Sequence, residues 1–209
     1  DTSFEATATS VVDFDNDGWL DLFTANGEVR VVPILKKAGD QYPLHQTNQL
    51  FRNLGNAKFS EVTADAGQVF QLSEVSRGAA FGDIDNDGDT DLVVTNNNGP
   101  VRLMINHKGQ ENNWLGLRFF NSKGHPVTGA HVAAKIDKNT QKIWRRSRSD
   151  GSYASANDPR ILLGLGKNTG IKQLLVRWPD GKKETWENLT SNQYIDIRQG
   201  QGKRQQKSQ

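Results

Sequence analysis

Two short stretches of this 209-residue chain hold nine aspartates at the spacing of a cation-binding loop. Asp13, Asp15, Asp17 and Asp21 stand at positions one, three, five and nine of the first stretch, with Gly18 at six. Asp83, Asp85, Asp87, Asp91 and Gly88 repeat the arrangement, and Asp89 adds a carboxylate at position seven. Two charges ~4 Å apart repel by roughly 4 kcal/mol at an intermediate dielectric, so a turn this acidic calls for a counter-ion. All-oxygen donors select a hard cation, and their adaptable geometry suits Ca2+ better than strictly octahedral Mg2+. Soft and transition metals prefer sulfur and imidazole. Two Ca2+ sites are expected, one at Asp13, Asp15, Asp17, Trp19 and Asp21, the other at Asp83, Asp85, Asp87, Asp89 and Asp91. Glycine at position six permits the chain reversal. Position seven, Trp19 or Asp89, is expected to offer its carbonyl while its side chain faces outward.

An EF-hand opens with the same Asp-x-Asp-x-Asp-Gly, but it closes with a bidentate Glu at position twelve between two helices. Position twelve is Thr24 or Val94 here, within β-prone runs. The aspartate at position nine closes the loop instead. Small and β-prone residues precede each loop (8–12 and 78–82) and follow it (22–24 and 92–95), which reads strand, loop, strand. A plain Asp-Asn-Gly hairpin turn would account for one such stretch, not for two that match position by position.

The loops recur seventy residues apart, which makes that offset one repeat unit. In the first unit, 49–53 and 58–63 flank the turn signal Leu54-Gly55-Asn56, a predicted hairpin, and 101–106 keeps a trace of it in the second. Residues 31–48, with two prolines and no period, read as an inserted surface loop. Repeats of this size with about four strands each are the pattern of β-propeller blades, and two blades cannot close a ring.

After Glu111 short strands follow at regular intervals: 114–120, 131–136, 142–148, 161–165, 174–178, 183–186 and 194–198. Turn signals at Gly124-His125-Pro126, Lys138-Asn139-Thr140, Asp150-Gly151, Asp158-Pro159 and Pro179-Asp180-Gly181 separate them. The fold class is therefore all-β: two blades over 1–111, a small β-sandwich-like module over 112–199, and a basic tail, 200–209, expected to be disordered. The net charge of +2 conceals a division. Residues 1–111 hold 8 Lys+Arg and 17 Asp+Glu, whereas 112–209 hold 18 and 7. Such asymmetry suits two units with different electrostatic tasks.

No run of eighteen apolar residues marks a transmembrane helix, and no signal segment opens the chain. The start at Asp1 rather than Met fits a processed or partial sequence. The lack of cysteine excludes disulfides, thiol catalysis and zinc-thiolate sites.

The stretch from Gly78 through Phe81-Gly82-Asp83 to Leu92 resembles the FG-GAP or VCBS-type repeat of integrin α propellers and many secreted bacterial proteins. Gly129-Ala-His-Val132, the run from Gly151 to Arg160, Leu163-Gly-Leu-Gly166 and Val176-Arg-Trp-Pro-Asp-Gly181 resemble the ASPIC/UnbV domain. In that order, over about 4–199, they resemble the C-terminal part of the cartilage acidic protein family. The resemblance implies calcium at the loop positions, export, and an N-terminal seven- or eight-bladed propeller of which this chain would carry the last two blades. It brings no catalytic residues. The cysteine-rich EGF-like module of animal members does not follow, which favours a bacterial-type secreted form.

Weaker signals lie in the basic module. Lys142, Arg145, Arg146 and Arg148 make either an anion-binding patch or a solvated sheet face. Asp150 and Arg160 are expected to form a buried bridge rather than a ligand pocket. Trp114, Trp144, Trp178 and Trp186 are expected in the core rather than stacked on sugars. His45, His107, His125 and His131 lack ligand spacing, and no nucleophile elbow or phosphate loop appears, so no enzyme is expected. The expected function is extracellular binding or adhesion by a secreted or cell-surface protein, extracellular or periplasmic, with calcium mainly structural. Its partner would be an extracellular protein or glycan, anionic ones included, with no specific nucleic acid; the remaining blades of a longer parent would pack beside it. Two alternatives stand: a non-recognising structural cap of a larger secreted enzyme or surface protein, and an enzyme whose catalytic residues lie elsewhere.

Overall fold

The computed structural model describes residues 6–30, 36–39, 41–136 and 142–204, where regular structure is β strand with short helical turns. In the first repeat β1 (Ala6–Val12) and β2 (Asp21–Asn26) flank the first acidic loop. A two-residue strand, β3 (Gln46–Thr47), precedes the hairpin of β4 (Gln49–Asn53) and β5 (Phe59–Glu61). β6 (Ser73–Glu74) pairs with β3, and the second repeat follows as β7 (Ser76–Gly82), β8 (Asp91–Asn96) and β9 (Arg102–Met104). The blades are antiparallel sheets, β1-β2-β4-β5 and β7-β8-β9. The register is equivalent in both: Val12 faces Asp21 across one loop, and Gly82 faces Asp91 across the other.

Alternation along the strands builds one core between the blades. Ala8, Phe23, Ala25, Leu50, Phe70, Ala79, Val94 and Met104 are buried together, with Phe23 and Phe70 edge to face at 6.0 Å. Burial of each large side chain stabilises by roughly 1.5–3 kcal/mol. The insertion expected at 31–48 lies partly outside the described residues. Its remainder is a short helical turn at 36–37, further turns, and β3, which ties it to β6.

The C-terminal module comprises β10 (Asn113–Phe120), β11 (His131–Ile136), β12 (Lys142–Arg146), β13 (Ile161–Gly166), β14 (Gly170–Arg177), β15 (Lys183–Thr190), β16 (Tyr194–Arg198) and β17 (Lys203–Arg204). Two sheets, β13-β10-β16 and β12-β11-β14-β15-β17, enclose a second core that includes Leu115, Leu117, Val132, Leu163, Leu174, Val176 and Trp178. Strands β10 and β16 run parallel, the exception in an antiparallel set among the described residues. The turn expected at 138–140 lies outside the described residues.

Three expectations are corrected. The tail from 200 is not wholly disordered: Gly200 N–H donates to buried Glu184 at 3.0 Å, and β17 pairs with β15. A backbone anchor and two ladder positions hold this polar segment without apolar burial, while 205–209 lie outside the described residues. Trp144 is 62% exposed, because the alternation of β12 turns Ile143 inward and its neighbours out. Trp114 and Trp178 are buried as expected, and Trp186 packs partly buried on the core. Arg160 does not reach Asp150 but pairs with Asp158 at 2.6 Å, the nearer carboxylate, two residues along the same turn.

Candidate metal centres

Both loops adopt one backbone path. Asn16 and Asn86 at position four have φ of 55° and 62°, and Gly18 and Gly88 at position six have φ of 95° and 94°. Asparagine and glycine tolerate this left-handed region, so the sequence Asp-Asn-Asp-Gly encodes the reversal directly. Backbone amides then fasten the carboxylates. Gly18 N–H donates to Asp13 Oδ2 at 3.1 Å, and Gly88 N–H to Asp83 Oδ2 at 2.9 Å. Asp21 accepts from Phe14 N–H at 3.1 Å and Asn53 N–H at 2.7 Å. Asp91 accepts from Ile84 N–H and Asn106 N–H, each at 2.8 Å.

In the first loop the carboxylates of Asp13, Asp15 and Asp21 converge, one oxygen of each lying within 4.8 Å of the others. All three are buried. Asp13 Oδ1 and Asp15 Oδ1 are buried without a hydrogen-bond partner. Asp17 stands apart, held by Trp19 N–H at 2.8 Å and by Arg52 at 3.2 Å. Arg52 also pairs with Asp15 at 2.8 Å. In the second loop Asp83, Asp85 and Asp87 converge, and Asp91 lies outside that triad.

Position seven differs between the copies. The Trp19 side chain faces outward, against Gly55, as expected. Asp89 is a correction: its side chain is fully buried and both carboxylate oxygens lack partners. The cause is the turn at Gly109, which packs on the Asp89 Cβ so closely that only glycine fits, and so closes the route outward.

Burial and mutual repulsion favour the neutral form of several of these carboxyls. Desolvation raises Asp13 to about 8, with Arg145 opposing and the neighbouring aspartates adding to the rise. Burial likewise takes Asp21 to about 7 against the two amides that hold it. Asp89 rises to about 8 through burial and then the charge of Asp87. Burial also raises Asp15 and Asp91. Four of these carboxyl oxygens, Asp13 Oδ1, Asp15 Oδ1 and both of Asp89, have no hydrogen-bond partner, whereas buried polar atoms are ordinarily satisfied. The converging donors are carboxylate oxygens, which fit a hard dication.

The C-terminal module sits directly on both loops. Arg145 of β12 donates to Gly18 O at 3.1 Å and lies 3.5 Å from Asp13 Oδ2. Gly166 N–H donates to Asn16 O at 2.8 Å, and Asn112 Nδ2 donates to Asp15 O at 2.8 Å. On the second loop Tyr194 Oη donates to Asp83 Oδ2 at 2.6 Å, while Arg160 donates to Asn86 Oδ1 at 2.6 Å and to Asp83 O at 2.5 Å. The Arg160 guanidinium also lies 4.6 Å from the Tyr194 ring centroid. The loops touch each other as well, Asn16 Nδ2 donating to Gly88 O at 2.9 Å, and Asn106, just after β9, donates from Nδ2 to Phe14 O at 2.7 Å.

Sequence reasoning did not single out Arg52, Asn53, Asn106, Arg145 or Tyr194 as neighbours of the loops. Asn53 and Asn106 had a signal, since each ends the third strand run of its repeat. Arg145 and Tyr194 had none, being 132 and 111 residues from the aspartates they meet.

Twin acidic loops at the same register of two all-β repeats define a propeller-type repeat protein with a β module seated on its loops. Family comparison agrees: an FG-GAP-like repeat matches residues 13–94, and the family of ASPIC and UnbV matches 121–204. The chain is homologous over most of its length to cartilage acidic protein 1. It is 27% identical to the Homo sapiens protein over 177 residues, which cover 81% of this chain and 24% of that protein. The Xenopus tropicalis protein is 27% identical over 176 residues, covering 81% and 25%. The Mus musculus protein is 40% identical over 86 residues, covering 40% and 13%. The chain thus spans about a quarter or less of the length of these curated relatives.

Proposed function

We propose that the chain is a calcium-braced, non-enzymatic binding or adhesion module of an extracellular protein, with two blades over 1–111 and the C-terminal module over 112–199. The observation that carries the metal reading is the group of buried, unpartnered carboxylate oxygens on Asp13, Asp15 and Asp89. Asp13, Asp15 and Asp21 would hold one ion, and Asp83, Asp85 and Asp87 the other, with Asp89 adding charge to the second. Calcium would supply the positive charge that lets these carboxyls ionise in place. The ion then acts as a brace, because each loop links two strands of a blade and also carries the C-terminal module. The relatives' name places them in cartilage, which supports an extracellular setting.

Calcium that binds only the folded chain stabilises it by about 2.7 kcal/mol per site at a hundredfold excess over Kd. Thermal melts of chelated protein should therefore rise by several degrees on adding calcium, and less on adding magnesium. An unchanged Tm at millimolar calcium overturns the reading.

A second reading is a non-recognising structural cap of a larger protein. It is favoured by the module's seat on both loops, which gives it a packing role in its own right. It predicts that neither this chain nor its full-length parent retains any glycan or protein ligand.

A further inference from the structure

We propose that the outward face of the five-stranded sheet β12-β11-β14-β15-β17 binds a linear acidic polysaccharide, one rich in sulfate or carboxylate groups. The inference rests on the extracellular binding role above and names the partner's chemistry.

The face follows from register. Across the sheet, Arg146 is opposite His131, His131 opposite Arg177, and Arg177 opposite Lys183. All four side chains are exposed. Neighbouring strands lie ~4.8 Å apart, so this row extends roughly 14 Å. Four residues along β12 and β11, Lys142 faces Lys135, and both are exposed. Between the two rows lies Trp144, 62% exposed, beside Ala133 and Leu175. The opposite side chains of the same strands, Val132, Ala134, Ile143, Leu174 and Val176, enter the core, so the face is fixed by a rigid sheet.

Charge on this face is one-sided. Arg146, Arg177, Lys183, Lys135 and Lys142 make no ion pair among the described residues. The one acidic residue in these rows is Glu187, and it is already paired with Lys203 at 2.7 Å. Like charges held at strand spacing repel, and a fold that keeps them unpaired gains when an anionic chain lies across them.

The shape selects among polyanions. The face is a sheet surface without a helix or ribbon to enter a duplex groove. Its single exposed aromatic, Trp144, gives one stacking platform, whereas single-stranded nucleic acid is held by successive ones. Membrane binding calls for an apolar wedge, and Trp144 lies between rows of cations instead. One apolar ring among regularly spaced cations suits a sugar ring flanked by anionic groups.

The test uses immobilised heparin as probe, with dextran, single-stranded oligothymidylate and phosphatidylserine-containing vesicles in parallel, all in calcium. Heparin should retain the chain at 0.15 M salt and release it steeply as salt rises, with dextran inert. Arg146→Glu with Lys183→Glu should weaken heparin binding tenfold or more, and Trp144→Ala severalfold. These side chains are exposed, so the Tm and its calcium shift should stay unchanged, which keeps folding and metal binding separate from recognition. A chain that keeps its calcium shift yet ignores heparin at 0.05 M salt overturns this proposal and leaves the calcium reading intact. Equal binding by the charge-reversed variant, or tighter binding to oligothymidylate or vesicles than to heparin, overturns it too.

Discussion

Tyr194 Oη donates to Asp83 Oδ2 at 2.6 Å, joining β16 to the first carboxylate of the second loop across 111 residues. Burial, and then Asp83, push the phenol further up from its ordinary value, so Tyr194 stays a donor. Replacing it by Phe should cost about 1.5–3 kcal/mol, as expected for a hydrogen bond to a charged group. Urea unfolding in calcium would measure it, and a cost near zero would show that the contact only accompanies packing.

Arg145 brings the corresponding contact to the first loop. Burial lowers its pKa while Asp13, the buried carboxyl it faces, opposes that. At pH 9, where Asp13 is ionised even without metal, Arg145→Met should destabilise the calcium-free chain by roughly 3 kcal/mol, because a buried carboxylate loses its cation. With calcium bound the deficit should shrink, since the ion supplies the missing charge. An equal loss in both states would mean that packing, not charge, dominates.

The two loops should differ in affinity. Arg52 and Arg145 lie against carboxylates of the first loop, whereas no arginine or lysine pairs with a second-loop carboxylate among the described residues. The second loop also has the extra aspartate, Asp89. Isothermal titration should resolve a tighter second site, weakened at least tenfold by Asp89→Asn. Arg52→Gln should strengthen the first site by removing a competing cation. Two identical sites, or no effect of either substitution, would contradict this.

Protons should compete with calcium. Asp13 and Asp89 titrate near 8 and Asp21 near 7 in the folded chain without metal, all well above their unfolded value. The folded state then holds more protons than the unfolded state between about pH 4 and 8, so metal-free stability falls as pH rises through that window. Calcium affinity moves the other way and rises with pH from 6 to 9, with protons released on binding. Calorimetry in buffers of different ionisation enthalpy reads the release directly. Stability of the chelated chain rising from pH 5 to 8 would refute the assignment of buried, protonated carboxyls.

The loops were legible in the sequence because their information is local. Asn16, Gly18, Asn86 and Gly88 specify a backbone path within a few residues, and strands fall on either side by simple alternation. What was not legible arises from packing between distant segments. Asp89 turns inward because Gly109 closes against it, and Arg160 takes Asp158 rather than Asp150 because a turn places that carboxylate closer. Trp144 looked like core by residue type, yet its place in β12 set its direction. The tail shows the same limit, for Glu184 lies buried where composition alone cannot place it.

The glycines at the seam limit how freely these units can be exchanged. A Cβ on Gly88 would enter the Trp114 ring, one on Gly164 would strike Asp13 and Asn16, and one on Gly116 would strike Tyr194. Each partner in these contacts lies on the other side of the seam or directly beneath it. A module grafted onto a foreign blade would therefore meet the wrong surface unless its glycines and the acidic loops travelled together. The heritable unit is the loop with its seat.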